Sequence, residues 1–257
     1  MPNLRDITGN WFSDPNLVIS ADQLRGASHI NKFGHNTCIA ACTIEDIWDL
    51  GGTYVYPTTA RIHDIASTSA CDGPCGIGGL TLEINGLDIN FNEIKETVTL
   101  NGTCNVPTEN AYIRVNRMKI ITVGSNNYTV GQVTATAQTD GTVSAAILAG
   151  QAGGNQTHMA IYTIPVGKNG YITQLYAGIG RKQSTSYTID LVIRDADTTN
   201  AAFQTKFTMD GNSTGSSQVA HNPHPYITLP PKCDIKINAS ASVGGADIVA
   251  GFDIILM

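Results

Sequence analysis

Apolar residues fall on every second position in run after run of this chain, and turn-forming dipeptides break the runs at intervals of roughly 8–12 residues. Period two is the spacing of a strand that buries one face. Leu80, Leu82 and Ile84 share one face of such a run, and Leu87, Ile89 and Phe91 share the next. Asn85-Gly86, between them, has the residue pair that a two-residue hairpin demands. Ile94, Glu96, Val98 and Leu100 alternate in the same way, with a carboxylate at one inward position, and Asn101-Gly102 marks a second turn. Val133, Ala135 and Ala137 run up to Asp140-Gly141. Tyr187, Ile189, Leu191 and Ile193 form a later stripe, and Ile248, Ala250, Phe252, Ile254 and Leu256 a last one. A final segment so regularly patterned is expected inside a sheet, not in a tail. The pattern predicts an all-β chain of two tandem β-sandwich modules.

The boundaries follow from where the pattern starts and pauses. Residues 1–50 hold both tryptophans and no sustained period, and read as an extended N-terminal arm. Within them "SADQLRGASHI" has the make-up of one short helix, capped by Ser20 or Asp22. Gly51-Gly52 allows a sharp turn into a first module over 51–150. "AGQAGGNQ", residues 149–156, reads as a hinge, and a second module occupies 151–257. "DGNSTGSSQVAHNPHP", spanning the 210–225 region, reads as an exposed polar loop.

Charged residues are 14% of the chain, against about 25% in an average domain. The net charge is -6, and the 15 Lys and Arg form no dense run, which argues against a nucleic-acid partner. No apolar stretch approaches the ~18 residues of a membrane span. The N-terminus lacks the basic-then-apolar pattern of a secretory leader, so synthesis and folding in a cytoplasm are expected.

Six cysteines include two pairs at equal spacing, Cys38 with Cys42 and Cys71 with Cys75; Cys104 and Cys233 stand apart. Three readings of the paired four stay open. They are an all-thiolate zinc site, separate thiols in turns, or disulfides formed after release from the cell.

Motifs for catalysis or cofactor binding are missing. There is no Gly-x-Ser-x-Gly elbow, phosphate-binding glycine loop or zinc-binding helix, and no cofactor is expected. His221 and His224 have the spacing of two metal ligands, but sit among prolines and polar residues that favour a solvated turn. Glu93 with Glu96, Asp46 with Asp49, and Asp195 with Asp197 are the carboxylate pairs a glycosidase would need, and each is as well explained by a strand edge or loop. Tyr54, Tyr56, Tyr128, Tyr176 and Tyr187 offer faces on which a sugar ring could stack, though strands recruit tyrosine in any case. An enzyme is not expected.

Several strings carry a resemblance. "HINKFGHN", "IEDIWDLGGTYVYPTTA", "GLDINFNEIKETVTLNG", "YIRVNRMKIITVGS" and "MAIYTIPVGKNGYITQLYAGI" resemble a group of structural proteins of tailed bacteriophages. The resemblance covers roughly residues 28–257, with "GLDINFNEIKETVTLNG" its most specific part. It implies jelly-roll-like β modules, a homotrimer and a place in the virion. The implied role is a head decoration or cement protein bound to the major capsid protein or another virion protein. The alternative is a tail- or fibre-associated protein that binds host glycans. On the first role Trp11, Lys32, Phe33, His35 and Trp48 are the expected partner contacts, since large aromatics dominate interface energies. Trp48 has an equal claim to the core of its own domain.

Overall fold

The computed structural model describes residues 4–5, 11–12, 15–21, 23–180, 185–213 and 216–257. Side chains are described from Leu17 onward within those ranges, Ser216 excepted. The chain is almost entirely β, as its alternation predicts.

The segment expected to be an extended arm contributes a long strand to a sheet. β1 (Leu4–Arg5) pairs with β2 (Trp11–Phe12), and α1 (Pro15–Ser20) follows. The helix lies ahead of the predicted one. Pro15 has the fixed φ that suits a first helical turn, and Gly26 (φ +84°) turns the chain beyond it. Ile19, Ala27 and Ile255 pack together beneath α1. β3 (Ser28–Ile39) then runs antiparallel to the last strand of the chain, from Ser28 opposite Leu256 to Ile39 opposite Ala246.

β4 (Glu45–Asp46) is followed by a complete sandwich built from consecutive strands. β5 (His63–Ser67), β6 (Gly79–Leu87), β7 (Glu93–Thr99), β8 (Val106–Pro107), β9 (Arg114–Val123), β10 (Val133–Ala137) and β11 (Val143–Ile147) form it. Its sheets have the orders β11-β10-β5-β8 and β7-β6-β9. Ile65, Leu82, Ile84, Val98, Met118, Val133 and Ile147 fill the space between them. Asn101-Gly102 and Asp140-Gly141 turn as predicted, with φ of +59° and +72° at the glycines. Asn85-Gly86 does not turn. It lies inside β6, where a Cβ on Gly86 would stand 2.6 Å from the Tyr112 ring and 2.2 Å from the Arg114 carbonyl oxygen. The turn comes at 88–92 instead. There Asp88 Oδ1 accepts the amides of Asn90 (2.8 Å) and Asn92 (2.9 Å), and Phe91 takes φ +65°.

The expected hinge at 149–156 contains a short helix, α2 (Gly150–Gly153). Beyond it come β12 (Ile161–Thr163), β13 (Gly170–Gly180), β14 (Thr185–Asp195), β15 (Gln204–Ser213), β16 (Ser216–His221), β17 (Ile227–Leu229), β18 (Cys233–Ala241) and β19 (Ala246–Leu256). The expected polar loop around 210–225 is mostly strand, since β15 and β16 occupy it. One sheet has the order β16-β13-β19-β3, with β17 continuing β16 along the same edge of β13. The other has the order β12-β18-β14-β15, with β4 beside β12 on the same edge of β18. Counting each collinear pair as one strand gives eight strands in two four-stranded sheets. Lettered b to i in chain order, they read b-i-d-g and c-h-e-f, which is a jelly roll. Ile39, Ile189, Leu191, Ile235, Ile248, Phe252 and Ile254 are among its core residues.

The two modules are therefore nested, not tandem. Strand c of the jelly roll is split: Glu45–Asp46 pairs with Ala239 and Asn238, and Ile161–Thr163 with Lys236 to Asp234. The whole first sandwich is inserted between the pieces. Outgoing and returning chain pair with each other, with Ala160 N donating to Ile47 O (2.9 Å) and Asp49 N to His158 O (3.0 Å). Ends this close are what an inserted domain requires.

Gly34 on β3 crosses this stem, and a Cβ there would lie 2.1 Å from the Ile47 carbonyl oxygen and 2.4 Å from the Ala160 amide nitrogen. Gly34→Ala should therefore cost about 1–3 kcal/mol, read as a lower urea midpoint. Gly178→Ala, whose Cβ meets nothing closer than 3.8 Å, should stay within about 0.5 kcal/mol of wild type.

Candidate functional site: the seam between the sandwiches

On β18 the core takes Cys233, Ile235, Ile237 and Ala239, so the alternate residues Asp234, Lys236 and Asn238 point out of the jelly roll. Asp234 and Lys236 are nevertheless buried, because the inserted sandwich covers this face. Thr163, Asp234 and Arg194 lie opposite one another on three adjacent strands. Asp234 Oδ1 accepts from Thr163 Oγ1 (2.5 Å) and Arg114 Nε (2.9 Å). Its Oδ2 accepts from Arg114 Nη2 (2.9 Å) and Arg194 Nε (3.0 Å). Arg114 belongs to β9 of the insert, so its two-pronged pair with Asp234 joins the modules. Burial disfavours the Arg114 cation, but the bonded Asp234 carboxylate outweighs it and raises its pKa above the usual guanidinium value.

Aromatic rings extend the layer. Trp48, Tyr54, Tyr56 and Phe203 follow one another with centroid spacings of 5.2, 4.8 and 5.5 Å. The Arg194 guanidinium sits 4.4 Å from the Tyr56 centroid and 4.6 Å from that of Phe203, with Lys236 Nζ 4.6 Å from Phe203. Lys236 also pairs with Asp46 at 2.7 Å, and Asp46 accepts the Tyr54 amide. Burial raises the pKa of both Tyr54 and Tyr56, so neither phenol ionises near neutral pH.

Glu45 fixes the stem. Its carboxylate accepts the amides of Ala40 and Gly52 and the Asn36 side-chain amide, each at 2.9 Å. Desolvation pushes its pKa up, but these three donors prevail and hold it below 4.5. Gly51 and Gly52 take φ of +64° and +66°, the sharp turn their sequence predicts.

The expected partner contacts are scattered by this arrangement. Trp48 is buried against the insert's core and donates Nε1–H to Gly51 O (2.7 Å). Lys32 is not a surface contact. It is 2% exposed, and its ammonium donates to the Asn116 carbonyl across the seam. Phe33 and His35 are half-buried on the outer face of β3, where Phe33 lies 5.3 Å from the His158 ring and His35 pairs with Asp247 at 2.6 Å. The side chain of Trp11 lies outside the described residues.

Cys38, Cys42, Cys71 and Cys75 are exposed, free thiols. Cys42 (φ +55°) and Cys75 (φ +62°) occupy left-handed turn positions. The informative residue of "CDGPC" is Asp72, fully buried. It accepts from Ser67 Oγ and from the amides of Gly79, Val130 and Gly131, which ties the β5–β6 connection to the β9–β10 connection at one end of the insert. Cys233 is buried, with its thiol pushed up to about 12 by desolvation.

No group of three or more metal-ligating side chains gathers among the described residues. His221 stacks on Phe207 at 4.3 Å. Glu93 and Glu96 are three apart on a strand and so face opposite ways: Glu93 pairs with Lys168, and Glu96 accepts the amides of Glu109 and Asn110. Asp46 and Asp49 bond within the stem, with Asp49 accepting the His158 amide, and Asp195 caps its own loop through Asp197 N and Thr198 Oγ1. Among the described residues no helix is long and apolar enough to cross a membrane.

Two surface hollows lie outside the ion layer. One lies on the outer face of β16-β13-β19-β3, with Gly178 and Gly180 in its floor and Tyr176, His35, Asp247 and Gln218 around it. Tyr176 lies across its cross-strand partner Gly251, where a Cβ would meet the phenol oxygen at 2.4 Å. The other is a cleft between β3 and the sheet β7-β6-β9.

No family model and no curated protein matches the chain. Solved structures that align with it include a chain of the T=1 particles derived from infectious bursal virus, at 9% identity and a TM-score of 0.20, over 91% of this chain and 70% of that one. A chain of the infectious bursal disease virus Gx strain aligns at 9% identity and a TM-score of 0.17, over 93% and 72%. At these scores the likeness carries no inference about this chain.

Asp234→Ala leaves two guanidinium groups without their acceptor, and chemical denaturation should show a loss of about 3–5 kcal/mol. Asp197→Ala, at the surface pair with Lys232, should cost no more than about 1 kcal/mol. Glu45, with a lowered folded pKa, contributes stability that is complete above its unfolded value near 4.5 and is lost as pH falls through the folded one. The stability gap between wild type and Glu45→Gln should accordingly be constant near neutrality and close in acid.

Proposed function

We propose that the protein is a structural component of a tailed-phage virion, a decoration or cement protein that binds the head and stabilises it. The observation that carries this reading is the b-i-d-g and c-h-e-f strand order, an architecture found in viral capsid and lectin domains. Fold alone does not fix function. The reading therefore rests equally on the resemblance of residues 28–257 to phage structural proteins. The seam supports it physically. A protein that reinforces a shell must pass load from one contact to another, and a buried ion layer with a split strand couples the two sandwiches without a flexible linker. In this role the protein is a homotrimer, the major capsid protein is its partner, and the segment ahead of α1 makes the contact together with the half-exposed Phe33 and His35.

A tail- or fibre-associated role with host glycans is the second reading. It is favoured by the hollow around Tyr176, where a half-exposed tyrosine, a glycine floor and the His35–Asp247 pair stand together. Aromatic faces flanked by hydrogen-bonding side chains suit sugar rings.

Deletion of residues 1–14 should leave a folded protein, because α1 and β3 remain, and should abolish co-sedimentation with head shells. Deletion through β3 is uninformative, since it removes a jelly-roll strand. Undiminished binding by the shorter truncation would overturn the proposed contact. Binding of a glycan array by wild type but not by Tyr176→Ala would replace the first reading with the second. Light scattering on purified protein and on protein eluted from particles tests the trimer.

A further inference from the structure

The cleft between β3 and the outer face of β7-β6-β9 has a volume of about 560 Å³, within the range of small-ligand sites. Four cations line it: Lys32, Lys95, Arg117 and Lys119. Of its two carboxylates, Glu93 is taken by Lys168 from outside at 2.9 Å. Glu83 is shared by Lys119 at 2.8 Å and Lys95 at 3.7 Å. Lys32 and Arg117 have no carboxylate partner among the described residues. Their hydrogen bonds go to main-chain carbonyls, Lys32 to Asn116 and Arg117 to Asn31.

This arrangement is built by the strand geometry. The β6–β9 register shifts between Asn85 and Gly86, which leaves Asn116 without a cross-strand partner and frees its carbonyl for Lys32. The same shift places Arg117 opposite Asn85, on the outer face, beside the buried ammonium. A half-exposed guanidinium thus stands beside a buried ammonium. Burial and the neighbouring guanidinium both push the Lys32 pKa well down. An anion in the cleft would relieve that repulsion and gain charge-assisted bonds from both groups.

We propose that this cleft binds the phosphate or sulfate group of a small hydroxylated ligand, such as a sugar phosphate. The oxyanion sits against Arg117 and Lys119, over Lys32. The cleft is larger than a bare ion needs, and Asn85 and Tyr162 in its lining supply hydrogen bonds for ligand hydroxyls. The site stands apart from the particle role, and either can fail without the other.

The test is thermal unfolding and calorimetry of the full chain at pH 7 and constant ionic strength, with glucose 6-phosphate, inorganic phosphate, glucose and sodium chloride as probes. Glucose 6-phosphate should raise Tm saturably and bind more tightly than inorganic phosphate, with no response to glucose or chloride. Arg117→Gln should weaken binding at least tenfold and Lys119→Gln severalfold. Lys32→Met removes an unpaired buried cation, so it should raise the unliganded Tm while weakening binding. No saturable response to either phosphate, or equal responses in wild type and the Arg117 and Lys119 variants, overturns the proposal. Equal affinity for inorganic phosphate and glucose 6-phosphate overturns the hydroxylated ligand.

Discussion

The Asp234 carboxylate is the point on which the rest of the molecule turns. A buried carboxylate is stable only where donors replace its water, and this one has four hydrogen bonds drawn from both sandwiches. Thr163 and Arg194 come to it along the sheet because they are its cross-strand neighbours. Arg114 comes from the insert, so the ion pair forms only when the two modules sit in one relation to each other. The neighbouring rings of Tyr56 and Phe203 then have their cations in place. A purely apolar seam would tolerate sliding. A two-pronged guanidinium on a carboxylate does not.

Nesting has its own consequence. Strand c exists only when residues on either side of the insert are brought together along β18. The chain closes a loop the size of a domain before that strand is complete, and β3 must wait for β19, far along the chain. Contacts of such separation are slow to form, because loop closure precedes the gain from packing. The insert has a core of its own, between sheets joined by short connections. Its early folding would bring Ile47 and Ala160 together and shorten the remaining search.

Much of this architecture was legible in the sequence and some was not, for definable reasons. Period-two alternation located the strands, most clearly β19, whose Ile248, Ala250, Phe252 and Ile254 are fully buried as expected. The same alternation, in "CDIKINASA", takes Asp234 and Lys236 out of the jelly-roll core. It could not show that a second sandwich covers them, because nothing local to "CDIKINASA" encodes residues 48–159. Asn85-Gly86 misled because a glycine needed for close approach to Tyr112 is indistinguishable from one needed for a turn. The strap of residues 1–50 misled because β3 carries Lys32 and Asn36 at inward positions, which breaks the apolar stripe. Both are buried polar residues whose partners lie elsewhere, Asn116 for one and Glu45 for the other. "CDGPC" drew attention to its thiols, while the structural weight falls on the aspartate between them.

The distribution of charge completes the physical picture. Lys32, Arg114, Arg117, Arg194 and Lys236 are five of the chain's 15 cations, and all five lie along the seam. The carboxylates that meet them are Asp46 and Asp234. The seam is thus locally cationic, but buried Glu45, Asp46, Asp72 and Asp234 balance buried Lys32, Arg114 and Lys236, so the exterior keeps the acidic character of the chain's net charge of -6. An acidic exterior repels its own copies and nucleic acid at long range, and it favours approach to neutral or basic protein surfaces. Two of the buried cations, Lys32 and Arg114, fasten the two halves of the molecule together.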